Sequence, residues 1–151
     1  MKAITYRRYG PPEVLEITDL PKPVPGEHEL LIRVRATTVS SADWRLRRLE
    51  MPRGFGLLGR LALGISGPRK PILGSELSGE VEAVGRAVTS FKVGDHVFAF
   101  TGATLGCHAE YKCFPARGAV ALKPVNLSFE QAAALCFGGA TISKRNTYDS
   151  Q

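Results

Sequence analysis

Residues 29–39 read ELLIRVRATTV. Leu30, Ile32, Val34 and Ala36 fall on one face, and Leu31, Arg33, Arg35 and Thr37 on the other. A period of two predicts a half-buried strand. The flanking sequence supplies further short strands. MKAITYRRYG and VLEITDLP form an opening pair with GPPE as the turn, and PKPVPGEHE, with three prolines and a glycine, is a loop. SELSGEVEAVG at 75–85 predicts a strand through Val81 and Ala83, bracketed by Gly79 and Gly85. A turn at Val93–Gly94–Asp95 leads into a strand over 96–100, and HAEYKCFP and AVALKP add two more. Helical spacing occurs in SADWRLRRLEM, with Ser41 as its cap and Pro52 and Gly54 as its stop. It occurs again in SFEQAAALCFGG, where Ser128 and Gln131 have capping-box spacing. The expected fold class is mainly β with short helices (α+β), a barrel-like domain.

At 151 residues and 44% hydrophobic, the chain is the size of one domain with a real core. The net charge is 20 − 14 = +6. Much of it lies in Arg45, Arg47, Arg48, Arg53, Arg60, Arg69 and Lys70, which are read as a solvated basic surface. No array of aromatic residues interleaves these cations as a stacking platform requires, so no nucleic-acid partner is expected. The most apolar stretch, residues 54–67, is too short to span a bilayer and contains Arg60, so no membrane association is expected. The N-terminus lacks the apolar run of a secretory signal. Cys107, Cys113 and Cys136 have no framework spacing. Reduced thiols and a cytoplasmic location follow as expectations.

Four segments, MKAITYRRYGPPEVLEI, LLIRVRATTVSSADWRLR, PILGSELSGEVEAVGRAVTSFKVGDHVFAF and HAEYKCFPARGAVALKPVNLSFEQAAALCFGGAT, occur in the order found in medium-chain dehydrogenases/reductases. From Met1 to Thr141 the chain resembles their N-terminal catalytic domain, which implies a GroES-like, partly open β-barrel. In the zinc-dependent members a Cys follows the first long strand and a His precedes a Glu. The matching positions here are Ser40 and Ser75, with Glu76 next. A hydroxyl is a poor zinc ligand at neutral pH, and one carboxylate does not hold a metal. The structural zinc loop of four cysteines is replaced by TGATLGCHAEYKC, read as two core-facing thiols, Cys107 and Cys113, and a surface histidine, His108. No metal is therefore expected.

The resemblance thus points to the zinc-independent, quinone oxidoreductase-like branch. It implies NADPH as hydride donor and a small-molecule quinone or enone as substrate, with hydrogen bonds in place of a metal. By position in the family pattern, Ser40, Ser41 and Thr141 are cofactor-binding candidates. Trp44 and Glu76 are candidates for the substrate cleft. Two alternatives stay open: Ser40 as a helix cap, and Trp44 as a core residue. Asp43 is read as structural and Tyr111 as a strand residue packing the barrel.

The family implies a Rossmann cofactor domain after FGGAT. Here residues 142–151 form a polar tail too short for a βαβ unit, which takes about 30 residues. GFGLLG at 54–59 has the letters of a dinucleotide motif but not the strand–turn–helix context. The expectation is the N-terminal half of an oxidoreductase, inactive alone. The alternative is a stand-alone protein-interaction module without catalysis. Ala132, Ala133, Leu135, Cys136 and Phe137 suggest an apolar helix face, hence a homo-oligomer joined through residues 128–140.

Overall fold

The structure is a computed structural model that describes residues 1–50, 61, 63, 64 and 67–136. The GFGLLG stretch, most of the 54–70 segment, Phe137, Thr141 and the 142–151 tail lie outside the described residues.

The opening strands β1 (Lys2–Tyr6) and β2 (Leu15–Asp19) pair antiparallel, as their sequence predicts. Between them the consecutive prolines impose a single 3-10 turn, Pro12–Val14. The remaining strands are β3 (Glu29–Thr37), β4 (Glu76–Val84), β5 (His96–Phe100), β6 (Tyr111–Pro115) and β7 (Val120–Leu122). They form one antiparallel sheet in the order β6-β3-β4-β5-β7. Bridges Ala3–Ala109 and Thr5–Ile72 tie the small sheet to the loops beside the large one. The result is an open, mainly β, GroES-like partial barrel with helices at its rim.

The central strand keeps its period of two only in part. Leu30 and Ile32 are fully buried, but so is nearly all of Leu31. Register shifts at Leu31/Ile32 and Val34/Ala36 rotate the strand, so simple alternation fails there. Gly79 does not bracket β4 but lies inside it. A Cβ at that position would collide with the carbonyl of Arg33 on β3, so the glycine permits close approach at the irregular pairing. Leu30, Ile32, Leu77, Val81, Val97, Ala99, Cys107 and Phe114 form the core.

Helix α1 spans Ser41–Arg48. A second helix, α2, covers residues 129–136. Its predicted capping box is present: Gln131 N–H donates to Ser128 Oγ at 3.2 Å, and Ser128 N–H to Gln131 Oε1 at 2.9 Å. Ser78 Oγ on β4 donates to the carbonyl of Phe129, and the Phe129 ring meets His96 edge-on at 5.0 Å. Ala132, Ala133 and Cys136 are therefore buried within this domain. Of the residues expected to join a second chain, only Leu135 is exposed among the described residues.

Two surface expectations are corrected. Arg47 is 6% exposed and donates to the carbonyl of Gly10 at 3.0 Å, so it ties α1 to the opening turn and is not part of the basic surface. His108 is buried, because the tight turn at Gly74 closes over it and its ring nitrogen reaches a backbone carbonyl.

Candidate functional site

Two chain segments build the site: the start of α1 and the start of β4. The N-cap of α1 is Ser40, not Ser41. The reason is the residue three positions on. Asp43 can complete a capping box with Ser40, whereas Trp44 could not complete one with Ser41. Asp43 Oδ2 accepts from the Ser40 backbone N–H and from Ser40 Oγ, both at 2.8 Å. Asp43 is 2% exposed, and its Oδ1 accepts the backbone N–H of Gly74 at 2.9 Å. One buried carboxylate thus fixes the helix start against the loop that delivers Ser75 and Glu76.

Gly74 has φ +89, and a Cβ there would lie 2.5 Å from His108 Cδ2. The glycine is required both by its backbone conformation and by the ring pressed against it. His108 Nε2 contacts the carbonyl of Thr38 at 2.9 Å. Since a carbonyl only accepts, the ring donates from Nε2. Thr38 Oγ1 in turn donates to Glu76 Oε2, and Thr37 Oγ1 donates to the Glu76 carbonyl at 2.7 Å. Glu76 is 6% exposed, so its carboxylate is a held, buried acceptor at the base of the site. On the far side, the Ser75 carbonyl accepts from Thr101 N–H at 2.7 Å and from Thr101 Oγ1 at 3.2 Å.

These segments enclose a cleft of about 710 Å³. Ser40, Ser41, Ser75 and Glu76 supply its polar wall. Leu46, Phe100, Leu105 and Ala134 are prominent in its apolar wall. The hydroxyl of Ser40 is engaged with Asp43, while those of Ser41 and Ser75 have no hydrogen-bond partner among the described residues.

Of the residues singled out in the sequence, Ser40, Ser41 and Glu76 come together in this cleft. Trp44 does not line it. It points outward at 41% exposure with the Arg48 guanidinium 5.4 Å above its ring, so it is not a core residue either. Thr141 lies outside the described residues. Ser75, considered in the sequence only as a zinc-ligand position, is a lining residue with an available hydroxyl. Phe100 and Ala134 were not singled out, because their roles depend on how β5 and α2 meet. Tyr111 is half-buried on β6 with Lys22 Nζ 4.1 Å from its ring centroid.

Burial disfavours the thiolate form of all three cysteines. Burial pushes Cys107 up to about 11 and Cys136 up to about 12, and Cys113 is also raised, again by burial first. Among the described residues no three His, Cys, Asp or Glu side chains converge as a metal site. The cleft therefore offers hydrogen-bond donors, one buried carboxylate and an apolar wall. Such a set can orient a reactant and stabilise charge on an oxygen.

An open antiparallel sheet with a capped helix and a cleft at its rim defines the GroES-like class. The profile of the alcohol dehydrogenase GroES-like domain matches residues 26–124, and the chain belongs to that family. It is 39% identical over 150 residues to a quinone oxidoreductase of Pseudomonas aeruginosa, covering 98% of this chain and 42% of that one. It is 35% identical over 141 residues to the human quinone oxidoreductase, covering 89% of this chain and 37% of the relative. Among solved structures, the quinone oxidoreductase of Coxiella burnetii superposes with a TM-score of 0.77 at 34% identity, over 95% of this chain and 43% of the other. The Escherichia coli quinone oxidoreductase complexed with NADPH gives 0.75 at 29% identity, over 94% and 39%. The chain thus spans about two fifths of the length of these relatives. No helix among the described residues is long and apolar enough to cross a membrane.

Proposed function

We propose that this chain provides the catalytic-domain wall of a zinc-independent, NADPH-dependent oxidoreductase acting on a quinone or enone. The observation that carries the reading is the convergence of Ser41, Ser75 and Glu76 on one apolar-walled cleft. The serine at each position where zinc-dependent relatives have a ligand is a poor zinc donor but a good hydrogen-bond donor. Relatives that match nearly the whole chain are quinone oxidoreductases, and one was solved with NADPH.

The cleft suits the nicotinamide end of the cofactor together with a flat unsaturated carbonyl compound. Its volume of about 710 Å³ lies within the range of small-molecule sites, about 300–1,000 Å³. NADPH, when bound, supplies the hydride. The chain's own residues do the rest. The Ser41 and Ser75 hydroxyls donate to the carboxamide of the cofactor and to the substrate oxygen. A donor at that oxygen stabilises the negative charge it gains, typically by a few kcal/mol. Leu46, Phe100 and Leu105 exclude water, which strengthens those hydrogen bonds. Asp43 and Glu76 hold the two serine-bearing segments in register.

The described residues contain no glycine-rich turn between a strand and a helix N-terminus to receive the pyrophosphate. On this reading the described residues meet only the nicotinamide end of the cofactor, and their binding of it is weak. Calorimetric titration of the chain with NADPH and with reduced nicotinamide mononucleotide tests this. Similar dissociation constants in the millimolar range, about 4 kcal/mol of binding, are expected. A micromolar constant for NADPH with turnover of a quinone would contradict it.

A further inference from the structure

Leu46, Ala103 and Leu105 line two cavities at once. On one side is the cleft described above. On the other is a second cavity of about 370 Å³, whose wall adds Tyr6, Tyr9, Arg69 and Lys70. Its volume is also within the small-molecule range. The body of this cavity is apolar and aromatic: the Tyr6 and Tyr9 rings meet edge to face, 6.3 Å apart, and Tyr9 is anchored by a hydrogen bond from its hydroxyl to the carbonyl of Gly64 at 3.2 Å.

Its charge is of one sign. Lys70 Nζ donates to the carbonyl of Ala103 at 2.6 Å, which sets an ammonium against the wall between the cavities. Arg69 is held through its backbone N–H to the carbonyl of Leu63 at 2.9 Å. Neither cation pairs with a carboxylate among the described residues, where the ion pairs are Lys22–Glu82, Arg35–Glu80 and Arg86–Glu27. Lys112 is close enough to Lys70 to feel its charge. Burial first, and then Lys70, hold the Lys112 ammonium below its usual range. Arg69 and Lys70 are solvent-exposed beside this apolar cavity and pair with no carboxylate among the described residues, so an anionic group on an apolar body can reach them.

We propose that this second cavity is a binding subsite for a molecule with an apolar chain or ring and a terminal anionic group, a carboxylate or a phosphate. The ring or chain packs on Tyr6 and Tyr9, and the anion meets Arg69 and Lys70. Because Leu46, Ala103 and Leu105 line both cavities, the subsite is placed to select substrates of the cleft that carry such a tail. That last step rests on the oxidoreductase reading; the anion subsite itself does not.

The test is an amide NMR titration of the chain with octanoate, octyl phosphate and, as the neutral control, 1-octanol, without any cofactor. One or both anions are expected to shift the amides of Tyr6, Tyr9 and Leu105 and to bind about tenfold more tightly than octanol at low salt. Added salt should erase most of that preference. The double variant Arg69→Gln, Lys70→Gln, whose folding is read from the same spectra, should lose it. Equal binding of octanol and both anions would overturn the proposal. So would shifts confined to Ser41 and Ser75, or a preference that survives in the double variant. No NADPH is present, so failure here leaves the reading of the cleft intact.

Discussion

Asp43 Oδ1 accepts the backbone N–H of Gly74 at 2.9 Å, across 31 residues of chain. The other oxygen of the same carboxylate holds Ser40. The start of α1 and the start of β4 are therefore one unit, and the serines they carry face one cleft because this carboxylate joins them.

Asp43→Ala removes the acceptor for three hydrogen bonds and leaves the buried N–H of Gly74 without a partner. The expected loss of stability is about 2–4 kcal/mol, read from urea unfolding. Asp43→Asn keeps an acceptor for Gly74 but turns an amide toward the N–H of Ser40, so about half that loss is expected. A loss within error of zero for Asp43→Ala would remove its role as the joint.

Gly74→Ala places a methyl group 2.5 Å from His108 Cδ2 in a backbone conformation that disfavours side chains. Destabilisation of about 2 kcal/mol or more is expected. The imidazole resonances of His108 should move with it. An alanine variant as stable as the parent would mean that this turn is not held as described.

Much of this frame was legible in the sequence, and the exceptions have physical causes. The Ser128–Gln131 box, the opening strand pair and the turn before His96 are local devices whose residues specify their own geometry. The burial of Leu31 and Arg47 and the place of Gly79 inside β4 depend on strand irregularity and on partners such as Gly10, 37 residues from Arg47, which the local sequence does not specify. The lining of the candidate cleft was legible in part. Ser40, Ser41 and Glu76 lie at positions where the family resemblance directs attention. The cleft membership of Phe100 and Ala134 appears only when β5 and α2 are brought together. Trp44 was drawn toward the site by its residue type, whereas its face of α1 points to solvent beneath Arg48.

Alkaline pH should destabilise the fold. Burial raises the Cys107 thiol from an ordinary 9.0 to about 11 and Cys136 to about 12. Between pH 9 and those values the unfolded chain releases protons that the folded chain retains, so stability falls as pH rises. A loss of about 1–3 kcal/mol between pH 9 and 11 is expected from urea unfolding under reducing conditions. The variant Cys107→Ala, Cys136→Ala starts lower but should show a flatter slope. An identical slope would assign the effect to other groups.

The purified chain should carry no stoichiometric zinc, because the serines at positions 40 and 75 are poor zinc donors. Elemental analysis after dialysis against a weak chelator checks this, and about one zinc per chain would contradict it.

The most direct test of the cleft itself is to locate the nicotinamide end on the chain. Amide NMR spectra recorded through a titration with NADPH should show shifts concentrated at Ser41, Ser75 and Glu76, saturating in the millimolar range. Ser75→Ala should weaken that binding several-fold while leaving the dispersion of the spectrum unchanged. Shifts that bypass residues 40–41 and 75–76, or binding indifferent to Ser75→Ala and Ser41→Ala together, would contradict the assignment of this cleft to an oxidoreductase.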